Sequence, residues 1–271
     1  MAKSNLAIRL TTAAVAAPLL LVLLFRGPAW GFSLLATAAA GIAALEIFRM
    51  THPGDGASQG FGAVSAAAVT FGLSFAAPDP TVIFGVLVGV PLLGMLVPLA
   101  RLGDIRTAAL RVMTGAAVPI YVGAPLGVLA LLRRDFGEDG PGLVLLTLML
   151  AWFADTGGYF VGRFFGKTKL YEAVSPKKTR EGLFGAVLGS LAGALLAHFT
   201  YLPSLGLTAA ILLGLAGGPL GQCGDLVESL LKRSLGTKDS GGIIPGHGGI
   251  LDRIDALLVL APVVYLYTLE R

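Results

Sequence analysis

Long apolar runs separated by short polar stretches dominate the chain. A membrane-spanning helix needs roughly 20 mostly apolar residues. Nine runs come close to that length, at 8–25, 29–48, 60–77, 82–100, 108–132, 142–162, 182–199, 203–222 and 250–268. The pattern therefore predicts an all-α integral membrane protein with about nine transmembrane helices and no soluble domain.

Composition supports a lipid environment. Of the 271 residues 55% are hydrophobic and only 13% are charged, about half the ~25% of an average soluble domain. Glycine is frequent, with 38 residues, and small residues allow membrane helices to approach closely. Gly185, Gly189, Gly193 and Ala197 recur every four residues, which predicts a helix-packing face.

Charge and cysteine content exclude several classes of function. Cys223 is the only cysteine, so no intrachain disulfide can form, and no Cys/His cluster suggests zinc. The chain has no basic domain outside the apolar runs, so we expect no nucleic-acid partner. With the N-terminus inside, fourteen Lys and Arg residues face the cytoplasm and four face outward, as the positive-inside rule favours. We therefore expect a multi-pass protein of the cell inner membrane whose polar segments face the cytoplasm.

Carboxylates inside apolar runs are candidates for function, because a charge at the bilayer centre costs at least ~2.5–3.5 kcal/mol. Glu46 stands three residues before Arg49, so a local ion pair at a membrane edge is its favoured interpretation. Asp155 lies in "WFADTGGYFVGRFFGK", where either a packed helix crossing or a site would account for it.

Two further acidic groups lie close to a polar loop. Asp225, Glu228, Ser229 and Lys232 share one helix face, and Asp252 and Asp255 share another. Two acidic faces joined by one loop can converge, and a divalent cation would relieve their repulsion. Oxygen ligands favour Mg²⁺, Mn²⁺ or Ca²⁺ over zinc. The alternative is a buried acid–base network with nearby basic residues: Lys232, Arg233 and Arg253.

Cations and glycines accompany these acids. The segment "GTKDSGGIIPGHGG" is rich in glycine, and its N–H groups can form a phosphate-binding nest, although a flexible loop would explain the glycines equally well. A second polar segment, "SPKKTREG", begins at Ser175. Its cations, Lys177, Lys178 and Arg180, suit phosphate binding or simply follow the positive-inside rule. Metal-binding carboxylates beside phosphate-binding cations indicate phosphoryl or nucleotidyl transfer involving a lipid.

The stretch Ser229 to Asp255, "SLLKRSLGTKDSGGIIPGHGGILDRID", resembles the signature of phosphatidate cytidylyltransferases, the CDP-diacylglycerol synthases. Its Ser-x-x-Lys-Arg, Lys-Asp, Pro-Gly-His-Gly-Gly and Asp-Arg-x-Asp elements all stand at matching spacing. The segments "ADTGGYFVGRFFGK", "SPKKTREG" and "GDLVES" are also similar to family segments. The resemblance covers about the last 120 residues, whereas the first 140 match only in being hydrophobic. Gly158 precedes Tyr159 where family members often have Ala-Tyr.

The resemblance implies the conversion of CTP and phosphatidate into CDP-diacylglycerol and pyrophosphate with Mg²⁺, in a homodimeric membrane protein. It implies that Asp225 and Asp252 hold the metal centre, and it allows a monovalent cation such as K⁺ alongside. We expect Asp225, Asp252, Lys238 and Arg253 to be catalytic. The residues expected to bind the phosphates of CTP and phosphatidate are Ser175, Lys177, Lys178, Arg180, Lys232, Arg233, His247, Gly248 and Gly249. The residues expected to position these groups from behind are Asp155, Glu228, Asp239 and Asp255.

We expect the transmembrane helices of 1–140 to form a scaffold with possible dimer contacts. We expect the transmembrane helices of 141–271 to carry the catalytic site. Two rivals remain. A CTP-dependent polyprenol or dolichol kinase would share a CTP–metal site, but its alcohol substrate would require a general base. A transporter coupled to protons or cations would have inverted repeats with matching broken helices, and the concentration of acids in the C-terminal half argues against it.

Overall fold

The computed structural model describes residues 2–243 and 248–269. The chain forms two compact units, each built from two separate stretches. The first unit contains Met1–Arg134 and Asp239–Arg253, and the second contains Asp135–Lys238 and Ile254–Arg271. Residues 239–250 of the family signature, the signature loop, therefore belong to the unit built from the N-terminal helices. The predicted division into scaffold and catalytic parts near residue 140 remains a prediction about function.

The first unit is helical. Its helices are α1 (Ala2–Phe25), α2 (Ala29–Thr51), α3 (Gly56–Ala76), α4 (Pro80–Phe84), α5 (Val90–Ala100) and α6 (Ala108–Asp135). A π-helical turn, Gly85–Gly89, joins α4 to α5. The Asp55 side chain caps α3 by accepting the N–H of Ser58, and this satisfies a donor that has no partner within the helix. Asp79 caps α4 in the same way.

The second unit adds one small sheet to its helices. Its elements are α7 (Gly140–Phe165), β1 (Lys169–Tyr171), β2 (Ser175–Thr179), α8 (Arg180–Thr200), α9 (Leu207–Ser234), the short α10 (Leu251–Ile254), which begins in the first unit, and α11 (Leu257–Leu269). The two strands pair antiparallel, with Tyr171 opposite Ser175. The basic segment "SPKKTREG" is thus a strand followed by a helix start, where Thr179 accepts the N–H of Gly182.

The predicted small-residue face of α8 is confirmed. A Cβ added at Gly185 would lie 2.5 Å from the carbonyl oxygen of Gly157 in α7, and one at Gly193 would lie 3.0 Å from that of Met149. A Cβ at Gly189 would overlap the carbonyl of Phe153. Helices α7 and α8 therefore pack backbone against backbone, which only small residues permit.

The chain is an all-α integral membrane protein, as predicted. Within the described residues, seven helical stretches are long and apolar enough to cross a bilayer: Ala29–Thr51, Gly56–Ala76, Pro80–Ala100, Ile105–Asp135, Gly137–Phe165, Arg180–Thr200 and Leu207–Ser234. Large apolar side chains are exposed along them, including Leu99 and Phe199, as contact with lipid requires.

The expected count of nine spans is not confirmed. The first predicted span lies in α1, of which Ala14–Phe25 is the apolar stretch within the described side chains. The last predicted span, 250–268, is broken: α10 ends at Ile254 and α11 begins at Leu257. Asp255 lies at this break, where the backbone leaves the regular helix.

Candidate active site

One face of α9 carries a polar cluster, as its spacing predicts. The Ser229 hydroxyl donates to Oδ1 of Asp225 at 3.2 Å. Glu228 is only 1% exposed, and its Oε2 lies 2.6 Å from Nζ of Lys232 one turn later. Burial of a carboxylate in a membrane helix is tolerated when a partner is present. Lys232 is therefore a direct partner of Glu228.

Asp255 completes a group of three carboxylates in the second unit. One oxygen each from Asp225, Glu228 and Asp255 lies within 4.8 Å of the others. This approach depends on Gly224, because a Cβ there would lie 2.5 Å from the carbonyl oxygen of Asp255. The N–H of Ala256 donates to Oδ1 of Asp255 at 2.7 Å and holds that side chain in place.

A lysine from the small sheet reaches the same cluster. Nζ of Lys178 in β2 lies 2.7 Å from Oδ2 of Asp225, and the two side chains are 15% and 31% exposed. Asp255 also interacts electrostatically with Asp155 in α7 and with Lys178. The structure thus brings Asp155, Lys178, Asp225 and Asp255 into one neighbourhood, which the sequence predicts only as separate motifs.

The cluster fits a hard divalent cation. Its three candidate ligands are all carboxylates, which Mg²⁺ prefers. Lys178 and Lys232 each pair with one carboxylate, so the three acids and two lysines keep a formal negative charge when all are ionised. A cation held between the carboxylates would relieve their mutual repulsion. The all-oxygen set of possible ligands and their grouping within 4.8 Å are the observations that support this fit.

The remaining predicted cations lie at exposed positions. Within the described residues, Lys177 and Arg180 are exposed beside Lys178, and Ser175 is partly buried. Near the end of α9, Lys238 and Asp239 are exposed. Arg233 is exposed too and donates to the carbonyl of Thr237 at 3.1 Å. These side chains can reach ligands in solvent, and their roles stay predictions.

The signature loop gives Asp252 a fixed environment in the first unit. The N–H of Gly249 donates to Oδ2 of Asp252 at 2.9 Å. Gly248 has a φ of +80°, which favours glycine. A Cβ at Gly248 would also lie 2.6 Å from the same oxygen, so both the backbone conformation and the space require glycine. Arg253 is exposed, and His247 lies outside the described residues. Because Asp225 and Asp252 belong to different units, their joint metal role stays a prediction.

The expected pair between Glu46 and Arg49 is wrong. Arg49 is exposed, whereas Glu46 is 1% exposed and turned inward. Oε1 of Glu46 accepts the N–H of Ile250 at 3.0 Å, and Oε2 accepts that of Leu251 at 2.9 Å. The spacing of Glu46 and Arg49 suggested a local pair, but a carboxylate within an apolar run was itself the signal of a distant partner.

A cleft of about 660 Å³ opens in the first unit at Asp55, Arg101 and Arg111. It contains none of the predicted site residues. Its cations are already paired, since Oδ2 of Asp55 lies 2.7 Å from Arg111 and Oδ1 lies 3.0 Å from Arg101. This arrangement supports a structural ion-pair network joining the α2–α3 turn to the start of α6.

Helical membrane spans with a carboxylate cluster and basic partners define the chain as an integral membrane protein with a candidate cation site. Its family follows from comparison with known proteins. The family model for the cytidylyltransferase family matches residues 7–269, and the chain belongs to that family.

Relatives named phosphatidate cytidylyltransferase are similar to parts of the chain. The Staphylococcus epidermidis relative is 39% identical over 133 residues, which cover 49% of this chain and 51% of the relative. The Haemophilus influenzae relative is 43% identical over 143 residues, half of each chain. The Synechocystis relative is 40% identical over 188 residues, 62% of this chain and 64% of the relative. The chain thus spans about half to two thirds of the length of the relatives it matches.

Proposed function

We propose that the chain transfers CMP from CTP to phosphatidate and releases pyrophosphate. The observation that carries this proposal is the grouping of Asp225, Glu228 and Asp255 within 4.8 Å, with Lys178 directly on Asp225. Membership of the cytidylyltransferase family supplies the nucleotide, and the names of the relatives supply the lipid. Placement of the cluster on helices that can span a bilayer suits a substrate that stays in the membrane.

The reaction needs alignment more than proton transfer. A phosphate oxygen of phosphatidate attacks the α-phosphorus of CTP, the bond from that phosphorus to the bridging oxygen breaks, and pyrophosphate leaves with the electron pair. Phosphate monoesters have a second pKa near ~6, so the attacking oxygen is already anionic at neutral pH. The chain must hold two polyanions together, and a general base is not required.

We propose that Asp225 and Asp255 hold a divalent cation, with Asp252 retained as the predicted further ligand. Glu228 supports this site through Lys232, since its Oε2 pairs with that ammonium at 2.6 Å. When bound, the cation would neutralise charge on the phosphate oxygens and on the leaving pyrophosphate. Lys178 lies at the same carboxylates and would bind phosphate oxygens once substrate displaces its contact with Asp225.

The cations at the exposed positions complete the proposed binding surface. Lys177 and Arg180 flank Lys178 on the hairpin and on the start of α8, and Lys238 and Arg253 flank the signature loop. Exposed cations suit the capture of charged substrates from solution. We further propose that the protein works as a homodimer in the cell inner membrane with this surface towards the cytoplasm.

Product identification tests the proposal. Purified protein in mixed micelles would receive CTP labelled at the α-phosphorus, phosphatidate and Mg²⁺, and we expect labelled CDP-diacylglycerol and an equal amount of pyrophosphate. A CTP-dependent lipid kinase would instead release CDP when given a polyprenol. Label that stays in nucleotide with phosphatidate and Mg²⁺ present would overturn the proposed reaction.

A further inference from the structure

Glu46 in α2 is a buried carboxylate that forms hydrogen bonds with both ends of the signature loop. It is 1% exposed and accepts hydrogen bonds from three donors among the described residues. Oε2 accepts from the Ser240 hydroxyl at 3.1 Å and from the N–H of Leu251 at 2.9 Å. Oε1 accepts from the N–H of Ile250 at 3.0 Å. All of these residues belong to the first unit.

The three donors come from both ends of the loop. Ser240 comes directly before Gly241, whereas Ile250 and Leu251 follow Gly249, and Leu251 begins α10. One side chain therefore fixes the separation of the two loop ends. Hydrogen bonds to an ionised carboxylate are about twice as strong as neutral ones, and burial strengthens them further.

Two glycines permit this close approach. A Cβ at Gly241 would lie 2.6 Å from Oε1 of Glu46, and a Cβ at Gly249 would lie 2.5 Å from Oε2. Both distances are too short for an L side chain without movement. Gly242, the neighbour of Gly241, has no described atom within 4 Å of its Cβ position. Gly241 and Gly249 thus lack a side chain because the Glu46 carboxylate occupies that space. This reason is separate from any role of their N–H groups in binding phosphate.

The contacts lead on to Asp252. Glu46 holds the N–H groups of Ile250 and Leu251, and the N–H of the preceding residue, Gly249, donates to Oδ2 of Asp252 at 2.9 Å. The backbone 249–251 is thus bonded to one carboxylate on each side. A shift of the loop end away from Glu46 would move the donor that orients Asp252.

We propose that Glu46 is a positioning residue for the transferase site, acting through the loop backbone on Asp252 and touching no substrate itself. The inference rests on the proposed function for its effect on catalysis, but not for its effect on the loop. A glutamine could not replace Glu46, because its amide offers one acceptor oxygen and would point an NH₂ group at an N–H donor.

The test compares Glu46→Gln with Glu138→Gln, which changes an exposed glutamate and serves as the matched control. Amide hydrogen exchange read by mass spectrometry on peptides covering 248–254 reports the loop directly. We expect Glu46→Gln to speed exchange there by about tenfold or more, since one charge-assisted hydrogen bond contributes at least that factor. Glu138→Gln should leave the exchange unchanged.

Kinetics give the second readout. Residues that orient a ligand from behind typically change activity by about 10–100-fold. We expect that loss in kcat for Glu46→Gln, with less than about a threefold change in the KM for CTP, because the residue is inferred to orient and not to bind. Wild-type kcat, or wild-type exchange in 248–254, for a folded Glu46→Gln protein would overturn the inference.

A glycine pair keeps the test decisive if Glu46→Gln does not fold. Gly241→Ala should speed exchange in 248–254 and lower kcat, because its Cβ meets the Glu46 carboxylate, whereas Gly242→Ala should do neither. Equal behaviour of the two variants would contradict the inference. If wild-type protein makes no CDP-diacylglycerol, the proposed function fails, whereas the exchange results still decide whether Glu46 holds the loop.

Discussion

Two arrangements of carboxylates differ in the partners that their oxygens meet. Glu46 in the first unit bonds a hydroxyl and two backbone N–H groups. In the second unit, Asp225, Glu228 and Asp255 crowd within 4.8 Å and meet two lysines. A carboxylate held by fixed neutral donors positions backbone, whereas crowded carboxylates repel one another, and a bound cation would relieve that repulsion. Burial alone therefore does not identify a catalytic acid, and the kind of partner distinguishes the two roles.

The largest expected effect on activity is at Asp225, Glu228 and Asp255, the crowded group. Asp225→Asn should lower kcat by at least about 100-fold, because it removes a proposed cation ligand that contributes several kcal/mol. The measurement is CDP-diacylglycerol formation under saturating CTP and phosphatidate, with Glu138→Gln as the control. Activity within a few-fold of wild type would remove Asp225 from the proposed cation site and break the comparison.

Binding of the cation separates the two arrangements without any reaction. Mg²⁺ at 100 times its Kd should stabilise the wild-type protein by about 2.7 kcal/mol, seen as a rise in Tm. Asp225→Asn should lose this rise, and Glu46→Gln should keep it. A rise that persists in Asp225→Asn, or one that disappears in Glu46→Gln, would show that the division of roles is wrong.

Lys178 tests whether a lysine at the crowded group also serves substrate. Lys178→Met should raise the KM for CTP or phosphatidate about tenfold, in line with the loss of one charge-assisted contact to phosphate. The Mg²⁺ concentration needed for half-maximal activity should not rise, since the ammonium that competes for Asp225 is gone. Lys167→Met, which alters an exposed lysine, is the control. If Lys178→Met keeps the wild-type KM for both substrates, Lys178 does not bind substrate and only balances the charge of Asp225.

Asp55, at the α2–α3 turn, is a third kind of carboxylate. It accepts hydrogen bonds from the neutral Ser58 and from charged arginines. Hydrogen bonds from the Ser58 hydroxyl and N–H, together with Arg101, lower the pKa of Asp55 from 3.8 to about 2. A lowered pKa means stabilisation that is complete above pH 3.8 and is lost as the pH falls through about 2. The Tm difference between wild type and Asp55→Asn should thus stay constant from pH 7 to about 4 and shrink below that. A difference that vanishes between pH 7 and 5 would contradict this assignment.

Local motifs were predictable, because their spacing acts within one element. The i, i+3, i+4, i+7 spacing of Asp225, Glu228, Ser229 and Lys232 is realised on one face of α9, and the four-residue repeat of small side chains is realised where α8 meets α7. The strand formed by Ser175–Thr179 was not predicted, since a five-residue basic stretch has no clear period.

Distant pairings could not be read from the sequence. Glu46 and Leu251 are 205 positions apart and yet share a hydrogen bond, and Lys178 meets Asp225 from another element. The division of the chain into compact units also assigns 239–253 to the unit of the N-terminal helices, and hydropathy along the chain carries no signal of that assignment.

The sequence by itself determined the membrane character, the helical class and the residue types of the site, because hydropathy and periodicity act over neighbouring residues. Tertiary structure alone decided which acids share a neighbourhood, which one holds the loop, and which glycines have no room for a side chain. These depend on how separate helices pack, and packing is set by many weak contacts that no single stretch of sequence contains.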